Sequence, residues 1–124
     1  MDTKTTLPEE ITSNPAYRNI IERTSVRSFT DSKISDVQTA ALLRAAMSAP
    51  SGVNRQPWEF VVVDDPKLLT LLADALPYAK MAAHAPLAIV VCGNPERFLE
   101  GVDAALWEQD LSAVCLLYTS PSPR

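Results

Sequence analysis

The residues best suited to chemistry in this sequence lie in two short segments, and the first carries two arginines and a serine. It reads R-T-S-V-R-S-F and begins at Arg23. If its backbone is extended, Arg23, Ser25 and Arg27 point to one side, because side chains alternate along an extended chain. Two guanidinium groups flanking a hydroxyl can hold a phosphate, since arginine matches phosphate oxygens with paired hydrogen bonds. The other interpretation is an exposed segment whose arginines pair with acids such as Glu22 and Asp31.

The second segment is a loop rich in proline and carboxamides, A-P-S-G-V-N-R-Q-P-W-E-F, over residues 49–60. Gly52 permits a tight turn, and Pro57 favours an extended Gln56. The carboxamides of Asn54 and Gln56 each offer a donor and an acceptor, so a stiff loop here suits the N–H and C=O edge of a planar heterocycle. The alternative is a connection whose polar groups satisfy its own backbone.

Capping residues predict the helices that position these segments. Ser35, with Gln38 three residues later, forms a capping box for a helix that ends near Ser48, directly before the loop. Asparagine or aspartate followed by proline marks two further helix starts, and an amphipathic stretch marks a later helix. These helices are expected over residues 14–23, 65–76 and 102–112.

Two apolar runs predict strands on either side of the helix that begins at residue 65. W-E-F-V-V-V over 58–63 and L-A-I-V-V-C over 87–92 are nearly continuous in apolar residues, which is typical of strands covered on both faces. Because helices and strands alternate, we expect a layered α/β or α+β domain. Two strands make a small sheet for this many helices, so we expect the domain to be incomplete.

Composition argues against several classes of function. The 124 residues carry a net charge of −4 and 47% apolar residues, which favours one globular domain and not a general nucleic-acid binder. No apolar run approaches membrane-spanning length, and the first ten residues lack the apolar core of a secretory signal. Cys92 and Cys115 belong to no C-x-x-C motif, so we expect no disulfide framework, no metal site and a cytoplasmic location.

The order of these motifs resembles the N-terminal half of the FMN-dependent nitroreductase family. The resemblance rests on R-T-S-V-R-S-F, A-A-M-S-A-P-S, N-R-Q-P-W-E-F, A-P-L-A-I-V-V-C and L-W-E-Q-D-L-S-A, and it covers roughly residues 15–114. It implies an α+β domain of three layers, α/β/α, present here in truncated form. It also implies a homodimer with FMN bound at the subunit interface.

By that resemblance, both segments bind the cofactor. The first would hold the phosphate, ribityl chain and pyrimidine edge of FMN through Arg23, Ser25 and Arg27. The loop would approach the flavin from the partner subunit. Its contacting residues would be Pro50, Ser51, Asn54 and Gln56.

The activity implied is that of an FMN-dependent NAD(P)H oxidoreductase, with hydride passing from NAD(P)H to flavin and on to a nitroaromatic or quinone. The flavin carries the reaction, so no catalytic side chain is assigned. Alternatives stay open: a superfamily relative such as a dehalogenase, flavin destructase or azoline oxidase, a flavin-binding module without turnover, or an unrelated α/β domain.

Other noticeable side chains have structural interpretations. Trp58 is expected to pack at the start of its strand, and His84 to play a structural role. Lys80 is expected in solvent. Glu108 and Asp110 lie two apart on a helix and do not share a face, so they do not form a carboxylate dyad.

The end of the chain departs from the family pattern. It reads C-L-L-Y-T-S-P-S-P-R, which fits the codons TGT-CTC-TTA-TAC-ACA-TCT-CCG-AGC-CCA-CGA and resembles the transposon-end adapter of DNA sequencing libraries. We therefore expect a flexible N-terminal arm over 1–13, the N-terminal part of the FMN-binding domain over 14–114, and a non-native tail over 115–124. On this hypothesis the chain is a fragment of a longer enzyme and is itself inactive.

Overall fold

The computed structural model describes residues 7–98, 101 and 106–118. The chain divides into two units: the described residues of the first end at Ser25, and the second spans Val26–Tyr118. Among the helices described, none combines the length and the apolar character needed to cross a bilayer.

Two short helices form the described part of the first unit. Helix α1 spans Glu9–Thr12 and helix α2 spans Pro15–Ile21. The Asn14 side chain accepts hydrogen bonds from the N–H groups of Ala16 and Tyr17 at 2.9 and 3.3 Å, so the predicted helix start is confirmed. Helix α1 lies within the expected N-terminal arm, and none of its residues is buried.

Helix α3, which leads into the loop, spans Asp36–Met47. Its predicted capping box is confirmed: the Gln38 N–H donates to Ser35 Oγ at 3.2 Å, and the Ser35 N–H donates to Gln38 Oε1 at 2.9 Å. Ala46, near the end of the helix, and Ala49, just beyond it, are buried. The loop therefore starts from a fixed point in the core.

Strands β1, Trp58–Val63, and β2, Ala88–Gly93, form an antiparallel pair. The first strand has its predicted bounds and the second is shifted by one residue. The expected cover on both faces is wrong for β1, because Val61 and Val62 are 51% and 39% exposed. The core of this unit gathers instead around the end of the sheet that carries Trp58.

Helix α4, Pro66–Ala75, connects the two strands. The Asp65 carboxylate accepts from the N–H groups of Lys67 and Leu68 at 2.7 and 3.1 Å, which confirms the predicted cap. A 3₁₀ helix, Lys80–His84, packs on α4, and three small or apolar side chains are buried in these two elements. They are Leu69, Ala73 and Ala82.

Helix α5 spans Trp107–Tyr118, which differs from the predicted 102–112. Residues 102–105 lie outside the described part of the chain. The helix continues past Ser112 because Leu111 and Val114, three residues apart, extend one buried stripe that packs beside α3. It thus includes the first residues of the expected non-native tail, of which 119–124 lie outside the described residues.

The core of the second unit joins α3, β1 and α5. Its buried members are Ala46, Ala49, Trp58, Leu111 and Val114. The loop leaves this core at Ala49 and returns to it at Trp58, so both of its ends are fixed.

Gly93, at the end of β2, allows a close aromatic contact. Phe98 and Trp107 stack with ring centroids 5.2 Å apart and planes 10° from parallel. A Cβ at residue 93 would lie 2.8 Å from Trp107 Cε3 and 2.9 Å from Phe98 Cζ. Only glycine leaves room for this stack.

Candidate functional site

The loop between α3 and β1 has a strained backbone. Val53, Asn54 and Gln56 have φ values of 50°, 55° and 49°, in the left-handed region. Each such residue costs about 1–3 kcal/mol, so the conformation persists only because the surrounding structure holds it. The predicted extended Gln56 is therefore wrong, and the left-handed turn falls on residues after Gly52 rather than on the glycine.

Side-chain hydrogen bonds explain this conformation. Ser51 Oγ accepts from the Gln56 N–H at 2.9 Å, which curls the loop back on itself. Arg97 Nη1 donates to the Gln56 carbonyl at 3.4 Å. The Asp110 carboxylate, on α5, accepts from the Gly52 N–H, with its two oxygens at 3.1 and 3.3 Å. Contacts distant along the chain thus override the local preference of a residue that precedes proline.

The cofactor-binding residues predicted in the loop lie together on its surface. Pro50, Asn54 and Gln56 are exposed and Ser51 is half-buried. Only the Ser51 hydroxyl bonds to the loop's own backbone. Within the described part of the chain, the carboxamides of Asn54 and Gln56 make no hydrogen bond. Their donors and acceptors are therefore available to a ligand, contrary to the self-satisfying interpretation of the loop.

The arginine segment has no regular structure: residues 23–30 form neither helix nor strand. Arg23 is half-buried, and Ser25 and Arg27 are exposed. Arg23 and Ser25 belong to the first unit and Arg27 to the second. Glu22, the expected acidic neighbour, instead pairs with Arg18 at 3.0 Å.

The guanidinium groups of the arginine segment are unpaired in the described part of the chain. Among the residues the structure describes, neither Arg23 nor Arg27 forms an ion pair or a side-chain hydrogen bond. An unpaired guanidinium group can donate paired hydrogen bonds to a phosphate or to an anionic ring edge.

An open groove of about 270 Å³ lies between the loop and the start of α5. The stacked rings of Phe98 and Trp107 form an aromatic part of its lining. The charged residues that line the groove are Arg55, Arg97 and Asp110. The groove places both signs of charge next to the loop backbone. Its remaining lining residues are Gly52, Val53, Pro57, Leu106 and Gln109.

The other residues singled out from the sequence have mixed outcomes. Trp58 is 6% exposed and lies in the core, which confirms its packing role. Lys80 is exposed, as expected, and its Nζ also donates to the Ala73 carbonyl at the end of α4 at 3.0 Å. His84 is exposed, and the described residues include no cluster of three or more His, Cys, Asp or Glu able to hold a metal ion.

Sequence reasoning missed Asp110 and Arg97, the residues that hold the loop from outside. The sequence pattern relates Asp110 only to Glu108, with which it forms no carboxylate dyad. Its position one residue before the apolar Leu111 could have indicated a side chain near the core. Nothing in the local pattern links it to Gly52, which is 58 residues away.

An antiparallel strand pair backed by helices, with a polar loop leading into its first strand, is an α+β arrangement. The model of the Nitroreductase family matches residues 20–117, so this chain belongs to that family. The fold class expected from the sequence is confirmed.

Several proteins are similar to this chain in sequence or in structure. A protein of Archaeoglobus fulgidus, provisionally named NADH dehydrogenase/NAD(P)H nitroreductase, is 42% identical over 94 residues, covering 76% of this chain and 53% of the relative. An iodotyrosine deiodinase of Haliscomenobacter hydrossis is 37% identical over 70 residues, covering 55% and 32%. The crystal structure of a provisionally named nitroreductase of Desulfovibrio desulfuricans, in complex with FMN, matches with a TM-score of 0.75 and 31% identity, covering 86% and 60%. The chain spans about half the length of the curated relatives it matches.

Proposed function

We propose that the protein is an FMN-dependent NAD(P)H oxidoreductase that passes hydride from NAD(P)H to flavin and on to nitroaromatic or quinone acceptors. One observation on this chain carries the proposal. Both motif segments present polar side chains that have no partner within the described residues. FMN is the cofactor class we infer, because a similar structure is in complex with it.

The available side chains fit the groups of FMN. The guanidinium groups of Arg23 and Arg27 match a phosphate and the carbonyl edge of the pyrimidine ring, and both keep their donors unpaired among the described residues. The Ser25 hydroxyl suits the ribityl chain. We propose these roles for Arg23, Ser25 and Arg27 because their side chains carry the hydrogen-bond donors that these groups of FMN require.

The loop supplies the second set of contacts. Its exposed carboxamides at Asn54 and Gln56 suit the alternating N–H and C=O groups of the flavin ring. Pro50 and Ser51 lie at the start of the same loop. We propose that this loop reaches the flavin bound by a second copy of the chain, so that the active protein is a homodimer.

Bound FMN supplies the redox chemistry, since the flavin ring accepts a hydride and returns it. The residues of this chain bind and orient the cofactor, and we assign none of them as catalytic. If Arg27 binds the N1–C2=O edge, as we propose, its positive charge would stabilise the negative charge of the reduced ring. That role requires a permanently charged side chain, which arginine provides.

The activity, acceptors and dimer proposed here are those of a whole protein. We propose that these residues form its N-terminal part, that 115–124 are a non-native tail, and that the enzyme works in the cytoplasm. Sequencing the locus from native DNA tests the tail. An uninterrupted frame encoding C-L-L-Y-T-S-P-S-P-R would refute an adapter origin.

Reductive dehalogenation is the second candidate function. It is favoured by the 37% identity to an iodotyrosine deiodinase over 55% of this chain. The same flavin site would serve both reactions, because the acceptor differs and the cofactor does not.

Anaerobic stopped-flow spectroscopy separates these functions. The protein made from the native reading frame is loaded with FMN and mixed with NADH or NADPH, and the reduced protein is then mixed with a nitroaromatic, a quinone or an iodophenol. The proposal predicts bleaching of the flavin by a nicotinamide and reoxidation by the nitroaromatic or quinone. Reoxidation by the iodophenol alone would favour the dehalogenase. Flavin that neither nicotinamide bleaches would contradict the NAD(P)H oxidoreductase.

A further inference from the structure

Asp110 makes a contact that the proposed cofactor site does not explain by itself. Its carboxylate accepts the Gly52 N–H at 3.1 and 3.3 Å, across 58 residues of sequence. A hydrogen bond to a charged acceptor is stronger than one between neutral groups. The loop is therefore attached to α5 at the residue directly before its left-handed turn.

The turn needs such an attachment. Val53 and Asn54 follow Gly52 directly, and both have φ values in the left-handed region, 50° and 55°. This conformation is unfavourable for a β-branched valine, so a free segment would adopt another one. The hydrogen bond from Gly52 fixes the peptide that enters the strained pair.

Asp110 is well placed to hold the loop because its helix is fixed. Leu111, the next residue, is 9% exposed, and Val114 is fully buried in the core. The same core contains Ala49, from which the loop starts. Both ends of the Gly52–Asp110 contact thus rest on one packed body, and the distance between them is set by that packing.

We infer that Asp110 is a positioning residue, which holds Gly52 so that Ser51 and Asn54 keep the conformation in which the loop meets the flavin. The inference rests on the proposed FMN-binding function. Asp110 acts through the backbone of the loop and does not itself touch the cofactor. A loop already shaped for its ligand loses less conformational entropy on binding, so the attachment raises the affinity for FMN.

A purely electrostatic role for Asp110 makes a different prediction. Arg55 and Arg97 line the same groove, although neither forms an ion pair with Asp110 among the described residues. If Asp110 acted by its charge, Asp110→Asn and Asp110→Ala would have equal effects. If it acts as an acceptor, the asparagine variant keeps most of the function, because its carbonyl oxygen still accepts from Gly52.

The experiment compares Asp110→Ala and Asp110→Asn with Glu108→Ala in protein made from the native reading frame. Glu108 lies on the same first turn of α5, is exposed, and carries the same charge, so it controls for the helix and for net charge. The readouts are amide hydrogen exchange at Gly52 and the dissociation constant for FMN, followed by quenching of flavin fluorescence.

The inference predicts that Asp110→Ala speeds exchange at Gly52 and weakens FMN binding by about tenfold or more. Asp110→Asn should stay within about threefold of the unchanged protein, since a neutral acceptor is roughly half as strong. Glu108→Ala should change neither readout.

Three results overturn the inference: equal effects of both Asp110 variants, an unchanged exchange rate in Asp110→Ala, or faster exchange with unaltered FMN affinity. Failure of the proposed function looks different. In that case the unchanged protein binds no FMN, while exchange at Gly52 still reports whether Asp110 holds the loop.

Discussion

The two polar segments of the site are held in opposite ways. The loop is held by hydrogen bonds with Ser51, Arg97 and Asp110, and Pro57 and Trp58, where the chain returns to the core, are buried. The arginine segment has no regular structure, and its named side chains make no hydrogen bond among the described residues. The difference teaches that contacts within the protein shape the loop, whereas the side chains of the arginine segment are left unpaired among the described residues.

This comparison predicts different effects on stability. Changes in the core and hydrogen bonds that hold the loop should lower the stability of the fold, whereas changes in the arginine segment should lower the affinity for FMN and leave the stability almost unchanged. The variants below test this difference, from the largest expected loss of stability to the smallest.

Trp58→Ala should have the largest effect on stability. Trp58 is 6% exposed in the core to which the loop returns, and its truncation should lower the free energy of unfolding by about 3–5 kcal/mol. Val61→Ala, on the same strand at 51% exposure, is the matched control and should cost less than about 1 kcal/mol. Urea titration of both variants measures the difference. Equal losses would show that the loop does not rest on this core.

Gly93→Ala should follow, with a loss of about 1–3 kcal/mol from overpacking. The new Cβ would lie 2.9 Å from Phe98 Cζ and would disturb the aromatic part of the groove lining. The double variant Gly93→Ala/Phe98→Ala should lose less than the sum of the single variants, because it removes the clash with Phe98 and lets the Trp107 ring, 2.8 Å from the new Cβ, move into the vacated space. If thermal unfolding shows that the stability losses of the two single variants simply add in the double variant, the contact with Phe98 is not the cause of the loss in Gly93→Ala.

Ser51→Ala tests the hydrogen bond inside the loop. Its hydroxyl accepts from the Gln56 N–H at 2.9 Å, so the variant should cost about 1 kcal/mol and speed amide exchange at Gln56. Ser25→Ala, in the arginine segment, should change stability by less than about 0.5 kcal/mol. If the two serine variants are equally stable, the loop is not held as described.

Arg27→Ala should leave stability almost unchanged, within about 0.5 kcal/mol, because Arg27 is exposed and forms no ion pair among the described residues. Its affinity for FMN should fall by about tenfold or more, as expected for a lost hydrogen bond to a charged group. Arg44→Ala, on the exposed side of α3, is the control and should bind FMN normally. Calorimetric titration with FMN measures both variants.

Local signals in the sequence predicted local structure well. The caps at Asn14, Ser35 and Asp65 form as expected, since each depends on backbone groups two or three residues away. Strand β1 has its predicted bounds because its apolar run is uninterrupted after Phe60. The cofactor-binding role of the motif residues in the loop stays a prediction.

What the sequence did not predict depends on distant contacts. The left-handed Gln56 results from hydrogen bonds with Ser51 and Arg97, which outweigh the effect of Pro57. The role of Asp110 depends on a helix that packs beside the loop only in the folded chain. Periodicity and capping rules contain no information about such pairs.

The visible absorption spectrum of the protein made from the native reading frame tests the central claim most directly. The protein is purified, supplied with FMN and freed of unbound cofactor before the spectrum is recorded. The account predicts that the flavin bands remain with the unchanged protein and are lost from an Arg23→Ala/Arg27→Ala variant that is still folded. A colourless unchanged protein, or a variant that retains the flavin fully, would contradict it.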